Sequence, residues 1–323
     1  MRGVQVVKVR TKRVRYQLSL RRNITIICGD SGTGKTTLYE MIADRTRLGE
    51  ESGVKLTCTK DCVALIDLDW QNQLAGIRDS IVFVDEGAHY VVSEEFAKAV
   101  RESDNYYVLI TRQALHQLPY SVDEVYSIKT SGNNHTLVPC YKSSERHLYG
   151  RVGVVGAADF EALLTEDSKA GYEFYKSRFA DSAITCVSAG TKSAIYQWLL
   201  DHPDVRVFVV ADGAAFGAEA DRVLKLQEAS NGRVVVCLPE SFEWLILKAG
   251  LIKDARVVEV LADTSDYVES AKYESWEQFF TDYLRDVTRG TPMQYVKTQL
   301  NDYYRVEKNA DRIIALIKCR NIK

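Results

Sequence analysis

The sequence predicts an α/β fold in two parts, and three observations carry that expectation. A short apolar run at residues 24–28 leads into a glycine-rich stretch and then into a helical pattern. A second apolar run, residues 81–84, ends in Asp85-Glu86. In the second half, apolar runs at 183–187, 205–210 and 234–238 alternate with helical patterns, the order of a small parallel sheet covered by helices. With 323 residues the chain is long enough for more than one domain. The predicted division is 1–145 and 150–265, followed by a helical segment over 266–323.

Composition narrows the class. An apolar fraction of 46% and a charged fraction of 27% are ordinary for a globular chain, and a formal net charge of −2 sets up no global field. No apolar run is long enough for a membrane span. Seven cysteines, an odd number scattered through predicted elements, suit reduced thiols. The expectation is a soluble, cytoplasmic protein with no membrane partner.

The first segment departs from that average. Between Arg2 and Arg22 lie eight Lys or Arg residues and no acid. Val7 and Val9 alternate with Lys8 and Arg10. After a turn near Lys12, Tyr16, Leu18 and Leu20 alternate with Arg15, Gln17 and Ser19. Period two on both arms predicts an antiparallel β-hairpin with one packed and one charged face. The charged face reads either as a solvated edge guarded against aggregation or as a basic ribbon for the phosphates of DNA or RNA.

The glycine-rich stretch is Gly29-Asp30-Ser31-Gly32-Thr33-Gly34-Lys35-Thr36, followed by Thr37. Its spacing is G-x-x-x-x-G-K-[ST], between a buried strand and a helix. Glycines let successive backbone N–H groups converge at a helix N-terminus, where an anion is favoured. The stretch resembles the P-loop (Walker A) of P-loop NTPases. The resemblance implies ATP bound by residues 29–37, with Lys35 on the β- and γ-phosphates and the Thr36 hydroxyl on Mg²⁺.

Asp85-Glu86, about fifty residues further on, resembles a Walker B strand end. That likeness implies Asp85 holding Mg²⁺ and Glu86 polarising the attacking water. Ser93 is the predicted N-cap of the next helix, with Glu94 and Glu95 in its first turn. The following strand, residues 106–110, ends in Thr111-Arg112-Gln113, where related ATPases sense the γ-phosphate. Arg112 is a candidate for that role, and Gln113 is the alternative. The hairpin ahead of the P-loop resembles ABC- and AAA-like ATPase cores, but no Leu-Ser-Gly-Gly signature precedes Asp85. Residues 54–58 and 62–68 read as a further hairpin, and the polar stretch 129–149 as the domain junction.

The second half resembles a Toprim domain, which requires a Glu after its first strand and Asp-x-Asp after a later one. Matched at 187–192 and 209–213, the chain offers no Glu at the first place and only Asp212 at the second. Glu240 or Glu243 is the nearest further carboxylate. The expectation is a degenerate Toprim-like fold, or an unrelated α/β domain of similar layout. An aromatic pattern at 276–287 and 295–304 predicts packed helices.

Three functions stay open from the sequence. The first is an ATP-hydrolysing enzyme coupled to a nucleic acid or nucleoprotein, loosely similar to OLD-type systems of mobile elements or phage defence. The second is a small-molecule kinase or transferase. The third is a nucleotide-gated module that binds a protein partner or a second copy of itself.

Overall fold

The computed structural model describes residues 1–66, 69–141 and 160–317. They form two compact units: residues 1–141 with 263–275, and the described parts of 142–262 with 276–323. The predicted boundary at 145–150 lies outside the described residues. Segment 263–275 is held to the first unit by backbone bonds, Gly3 N–H to Ser265 O at 2.7 Å and Ser270 N–H to Met1 O at 2.9 Å.

The first unit runs β1 (Gln5–Arg10), β2 (Arg15–Leu20), β3 (Ile24–Ile27), α1 (Lys35–Leu48), β4 (Lys55–Thr57), β5 (Cys62–Ala64), α2 (Trp70–Ala75), β6 (Ile81–Val84), α3 (Glu94–Arg101), β7 (Tyr106–Ile110), β8 (Val125–Ser131) and β9 (Asn134–Pro139). β1 and β2 pair antiparallel with Val7 opposite Leu18 and Val9 opposite Tyr16. Their inner residues are buried and Lys8, Arg10, Arg15 and Gln17 face out, as the period-two pattern requires. β3, β6 and β7 are buried at every position, the mark of parallel strands covered on both faces.

All nine strands join one sheet in the order β4-β1-β2-β9-β8-β3-β7-β6-β5. β4 and β5 therefore occupy opposite edges although only residues 58–61 separate them, a reach of at most about 17 Å. The sheet must curl until its edges approach, with α1 inside. Leu38, Met41 and Ile42 of α1 share one buried cluster with Val7, Val9, Tyr16 and Phe83. The hairpin expected over 54–68 does not form. β4 pairs antiparallel with β1, and β5 pairs parallel with β6. Each run yields a strand of only three residues, and each strand finds its partner elsewhere.

Residues 129–149, read as a junction, begin with structure instead. β8 and β9 pair as a hairpin from Ser131–Asn134 to Tyr126–Pro139, turning at Gly132, whose φ of 58° a side chain would resist. The stretch is polar because both strands expose one face. On α3, the Ser93 hydroxyl accepts from Phe96 N–H, so the predicted N-cap is in place.

The second unit contains β10 (Ala162–Thr165), α4 (Ala170–Arg178), β11 (Thr185–Ser188), α5 (Ala194–Asp201), β12 (Val207–Val210), α6 (Gly217–Ala229) and β13 (Val234–Cys237). Helices α7 (Phe242–Lys248), α8 (Ala255–Ala262), α9 (Trp276–Thr288), α10 (Asp302–Arg305) and α11 (Glu307–Ile314) follow. Its sheet is wholly parallel, in the order β11-β10-β12-β13. Strand β10 escaped the sequence reading and is a central strand of this sheet. No helix among the described residues is long and apolar enough to cross a membrane.

Candidate functional site

Three parallel strands of the first unit end level with one another. Ile27 of β3 lies opposite Ile110 of β7, and Leu109 of β7 opposite Val84 of β6. The residues that follow those ends are the glycine loop, Thr111-Arg112 and Asp85-Glu86. Sequence positions up to 81 apart thus meet at the carboxyl edge of the sheet, where open α/β sheets place ligands.

The loop itself is shaped by its glycines. Gly29, Gly32 and Gly34 have φ of 110°, 80° and 95°. Gly34 is also crowded: an added Cβ would lie 2.7 Å from Tyr16 Oη and 3.3 Å from His135 Nδ1. Tyr16 Oη donates to Gly34 O at 2.9 Å and stacks on the His135 ring at 4.5 Å. The two N-terminal strands thereby hold the back of the loop. Helix α1 has Gly34 as its N-cap, with no side-chain cap and no acid in its first turn, leaving its N-terminal amides to whatever the loop holds.

Lys35 is buried, and its ammonium donates to Gly29 O and Asp30 O, both at 2.7 Å. Thr33 Oγ1 donates to Asp30 O, while Asp30, Ser31, Gly32, Thr36 and Thr37 are exposed. Arg112 bridges two parts of the edge. Its Nε lies 2.5 Å from Glu86 Oε1, and its Nη2 donates to Ser31 Oγ at 2.8 Å. Asp85 is half-buried, and among the described residues neither its carboxylate nor the Thr36 hydroxyl is engaged in a hydrogen bond. Two hard oxygen donors are unspent there, which fits a small divalent cation.

The second unit gathers a different constellation. Glu166 follows β10 and Asp212 follows β12, adjacent strands whose carboxyl ends align at Thr165 and Val210. Glu277 reaches the same place from α9, and one oxygen of each carboxylate lies within 4.8 Å of the others. Asp212 N–H donates to Glu166 Oε2 at 3.2 Å, and Phe242 N–H donates to Asp212 Oδ1 at 3.2 Å. Lys297 lies 2.8 Å from Glu277 and 3.7 Å from Glu243. Glu243 is 1% exposed; Tyr295 donates to its Oε1 at 2.6 Å, and its Oε2 has no partner. Glu166, Asp212, Glu243, Tyr295 and Lys297 line a cavity of about 30 Å³, room for an ion with a water or two.

Electrostatics there is frustrated. Burial, then the charge of Glu277, pushes the Glu166 carboxyl up to about 7. Burial and the neighbouring Glu166, Glu277 and Glu243 raise Asp212 well above the usual carboxylate range. Lys297 is raised against its own desolvation by Glu243 and Glu277. One ammonium does not balance four carboxylates, and a divalent cation would offset two of the remaining charges. The residues fit that group.

The absence of a Glu after the first strand, read from the sequence, is therefore corrected. The run at 183–187 is the edge strand β11, and among the described residues the first strand of this unit is β10, followed directly by Glu166. The signal was present as Ala162-Leu163-Leu164-Thr165-Glu166-Asp167, the same apolar-run-then-acid form as 81–86. Glu277 and Lys297 carried no local signal, because only tertiary packing brings them to the sheet edge. Glu240 is not among the cluster's three grouped carboxylates, whereas Glu243 lines the same cavity. No protein-family model matches the chain, and no curated protein matches it.

Proposed function

We propose that the protein is an ATP-hydrolysing P-loop ATPase, coupled in one chain to a divalent-cation site of Toprim-like layout and acting on nucleic acid or a nucleoprotein. The observation that carries the ATPase reading is the meeting of Lys35, Asp85, Glu86 and Arg112 at one sheet edge from three separate strand ends. In that reading the loop amides and Lys35 hold the phosphates, Lys35 exchanging two loop carbonyls for phosphate oxygens. Glu86 accepts the proton of the water that attacks the γ-phosphorus, and the bond to the β–γ bridging oxygen breaks as ADP leaves. Thr36 and Asp85 would hold Mg²⁺, which supplies charge neutralisation on the phosphates.

The second site supports the nucleic-acid side. Glu166, Asp212 and Glu277, backed by Glu243, suit a divalent cation of the kind that positions phosphodiester oxygens. The likeness to a Toprim domain is stronger with Glu166 in the first position, although a single Asp follows β12 and Glu277 comes from a helix.

The test is ATP hydrolysis by the wild type, Lys35→Ala and Glu86→Gln, each with and without duplex and single-stranded DNA. Lys35→Ala should lose nucleotide binding, and Glu86→Gln should bind ATP but turn over about 10²-fold more slowly. Wild-type turnover by Glu86→Gln would remove that residue from the chemistry.

A further inference from the structure

The charged face of the N-terminal hairpin does not end at the hairpin. β4 adds to one side of it and β9 and β8 to the other, so five neighbouring strands share one outward face. Register sets the residues in rows. Lys55, Arg10, Arg15 and Asn134 lie side by side across four strands. One step along, Thr57, Lys8, Gln17, Thr136 and Lys129 cross all five. At strand spacing of about 4.8 Å, the face is roughly 19 Å wide.

No carboxylate stands at any outward strand position of this face. Arg10 is paired directly with Arg15 on one side and Lys55 on the other, three cations in a row. Like charges opposed across strands are destabilising. Among the described residues Lys8, Arg10, Arg15 and Lys129 make no ion pair; Glu50, whose pKa is lowered mainly by its partner Arg45, feels Lys55 only as a lesser charge. By contrast Arg22, from the same basic segment, is buried against Glu124. The fold neutralises that arginine and leaves the face unneutralised.

We propose that this five-stranded face seats the phosphate backbone of a nucleic-acid duplex, an inference that rests on the nucleic-acid coupling proposed above. Charge complementarity selects a polyanion, and the chemistry of the remaining positions selects among polyanions. The outward strand positions carry no Phe, Tyr or Trp, so there is no platform on which unpaired bases stack. Apolar residues there are limited to Val6 and Val138, too little for insertion into a lipid surface. Hydroxyl and amide groups at Gln17, Ser19, Thr57 and Thr136 are further donors to phosphate oxygens, which fix position without reading sequence.

The experiment is fluorescence anisotropy with a labelled duplex, a single strand of the same sequence and anionic vesicles, from about 50 to about 200 mM salt. Two variants are compared with the wild type: Lys8→Gln/Arg10→Gln/Lys55→Gln and Arg15→Gln/Lys129→Gln. ATP hydrolysis without DNA is measured on all three. The wild type should bind duplex more tightly than single strand, without sequence preference. The triple variant should lose about tenfold or more, and its log K against log salt slope should fall by about 2–3. Its melting temperature should rise, since opposed like charges are removed, which separates lost binding from lost folding. Duplex binding unchanged in both variants overturns the face while leaving nucleic-acid coupling intact. No duplex binding by a wild type that hydrolyses ATP overturns both, and leaves the ATPase reading standing. Binding to vesicles alone, or salt-insensitive binding to single strands, also overturns the proposal.

Discussion

Arg112 pairs with Glu86 at 2.5 Å and at the same time donates to Ser31 of the glycine loop at 2.8 Å. The guanidinium thus ties the ends of β7 and β6 to the loop after β3. Its side chain is 54% exposed and that of Glu86 32%, so the ion pair contributes only about 0–1 kcal/mol. In the proposed reading, a phosphate beside Ser31 would compete for the same donors with a charge-assisted, two-pronged bond. The contact is strong enough to orient the arginine and weak enough to be exchanged.

Arg112→Ala is expected to lower kcat for ATP by about 10²-fold or more, while the ATP Kd changes only a few-fold. Thermal stability should stay within about 0.5 kcal/mol of wild type, as for a surface change. Single-turnover kinetics and nucleotide titration check this. An unchanged kcat means that Arg112 does not face the transferred phosphoryl group.

Gly34→Ala meets two obstacles, a φ of 95° and the Tyr16 hydroxyl 2.7 Å from the new Cβ. The backbone part costs about 1–3 kcal/mol. ATP binding should fall sharply, and adding Tyr16→Phe should restore part of the loss by removing the clash but not the backbone strain. A double-mutant cycle on ATP affinity and melting temperature measures that coupling. Strict additivity would mean that Tyr16 does not press on the loop.

On the proposed cation site, Glu166 should make binding pH-dependent. Its carboxyl is raised from 4.5 to about 7, so in the cation-free protein this group's contribution to stability is fully present below pH 4.5 and is lost as pH rises through 7. A divalent cation must displace the proton, so its affinity rises with pH up to about 7, by as much as tenfold per unit for each proton displaced. Titration calorimetry with Mn²⁺ at pH 6 and pH 8 should show tighter binding at pH 8, by about tenfold. Glu166→Gln should reduce the difference, leaving the part that the other raised carboxyl, Asp212, contributes. Equal affinity at both pH values excludes Glu166 as a ligand.

Among the described residues Lys297 is the cation ion-paired with this acidic cluster, through Glu277 and Glu243. Lys297→Met leaves the carboxylates facing each other with no ammonium between them, a loss of about 3–5 kcal/mol for a buried pair broken on one side. The penalty should be large at pH 8, smaller at pH 5 where the raised carboxyls are protonated, and offset by Mn²⁺. Melting curves over pH, with and without the ion, test all three. A pH-independent loss would reduce Lys297 to packing.

Asp212→Asn separates cation binding from folding. Asp212 is held against Glu166 and Glu277 by tertiary structure, and its pKa is raised by burial and by those charges. Removing one like charge should raise the melting temperature at pH 8 without metal, and should remove the further rise that Mn²⁺ produces. A variant that Mn²⁺ still stabilises as it does the wild type would take Asp212 out of the ligand set.

Several features were legible before any coordinates. The glycine loop, β6 with its terminal Asp85-Glu86, β7 and the hairpin of β1 and β2 all carry their signal within a few adjacent residues. Period-two alternation, a full-length buried run and a glycine spacing are local patterns, and local patterns survive in a linear string. The mistaken hairpin at 54–68 marks the limit. Three-residue strands hold too little pattern to choose a mate, and β4 and β5 chose β1 and β6.

The chain by itself determined the α/β class, the glycine-rich loop after β3 and the acids at the end of β6, because each is written in consecutive residues. Only the tertiary structure decided that Arg112 meets Glu86 and Ser31, that Glu166 follows a central strand, and that Glu277 and Lys297 complete its cluster. It alone continued the basic hairpin into a five-stranded face by placing Lys55 and Lys129 on strands in register with it. The physical reason is the same in each case. Strand pairing and helix packing join residues by register and burial across long stretches of chain, and neither quantity belongs to any single segment.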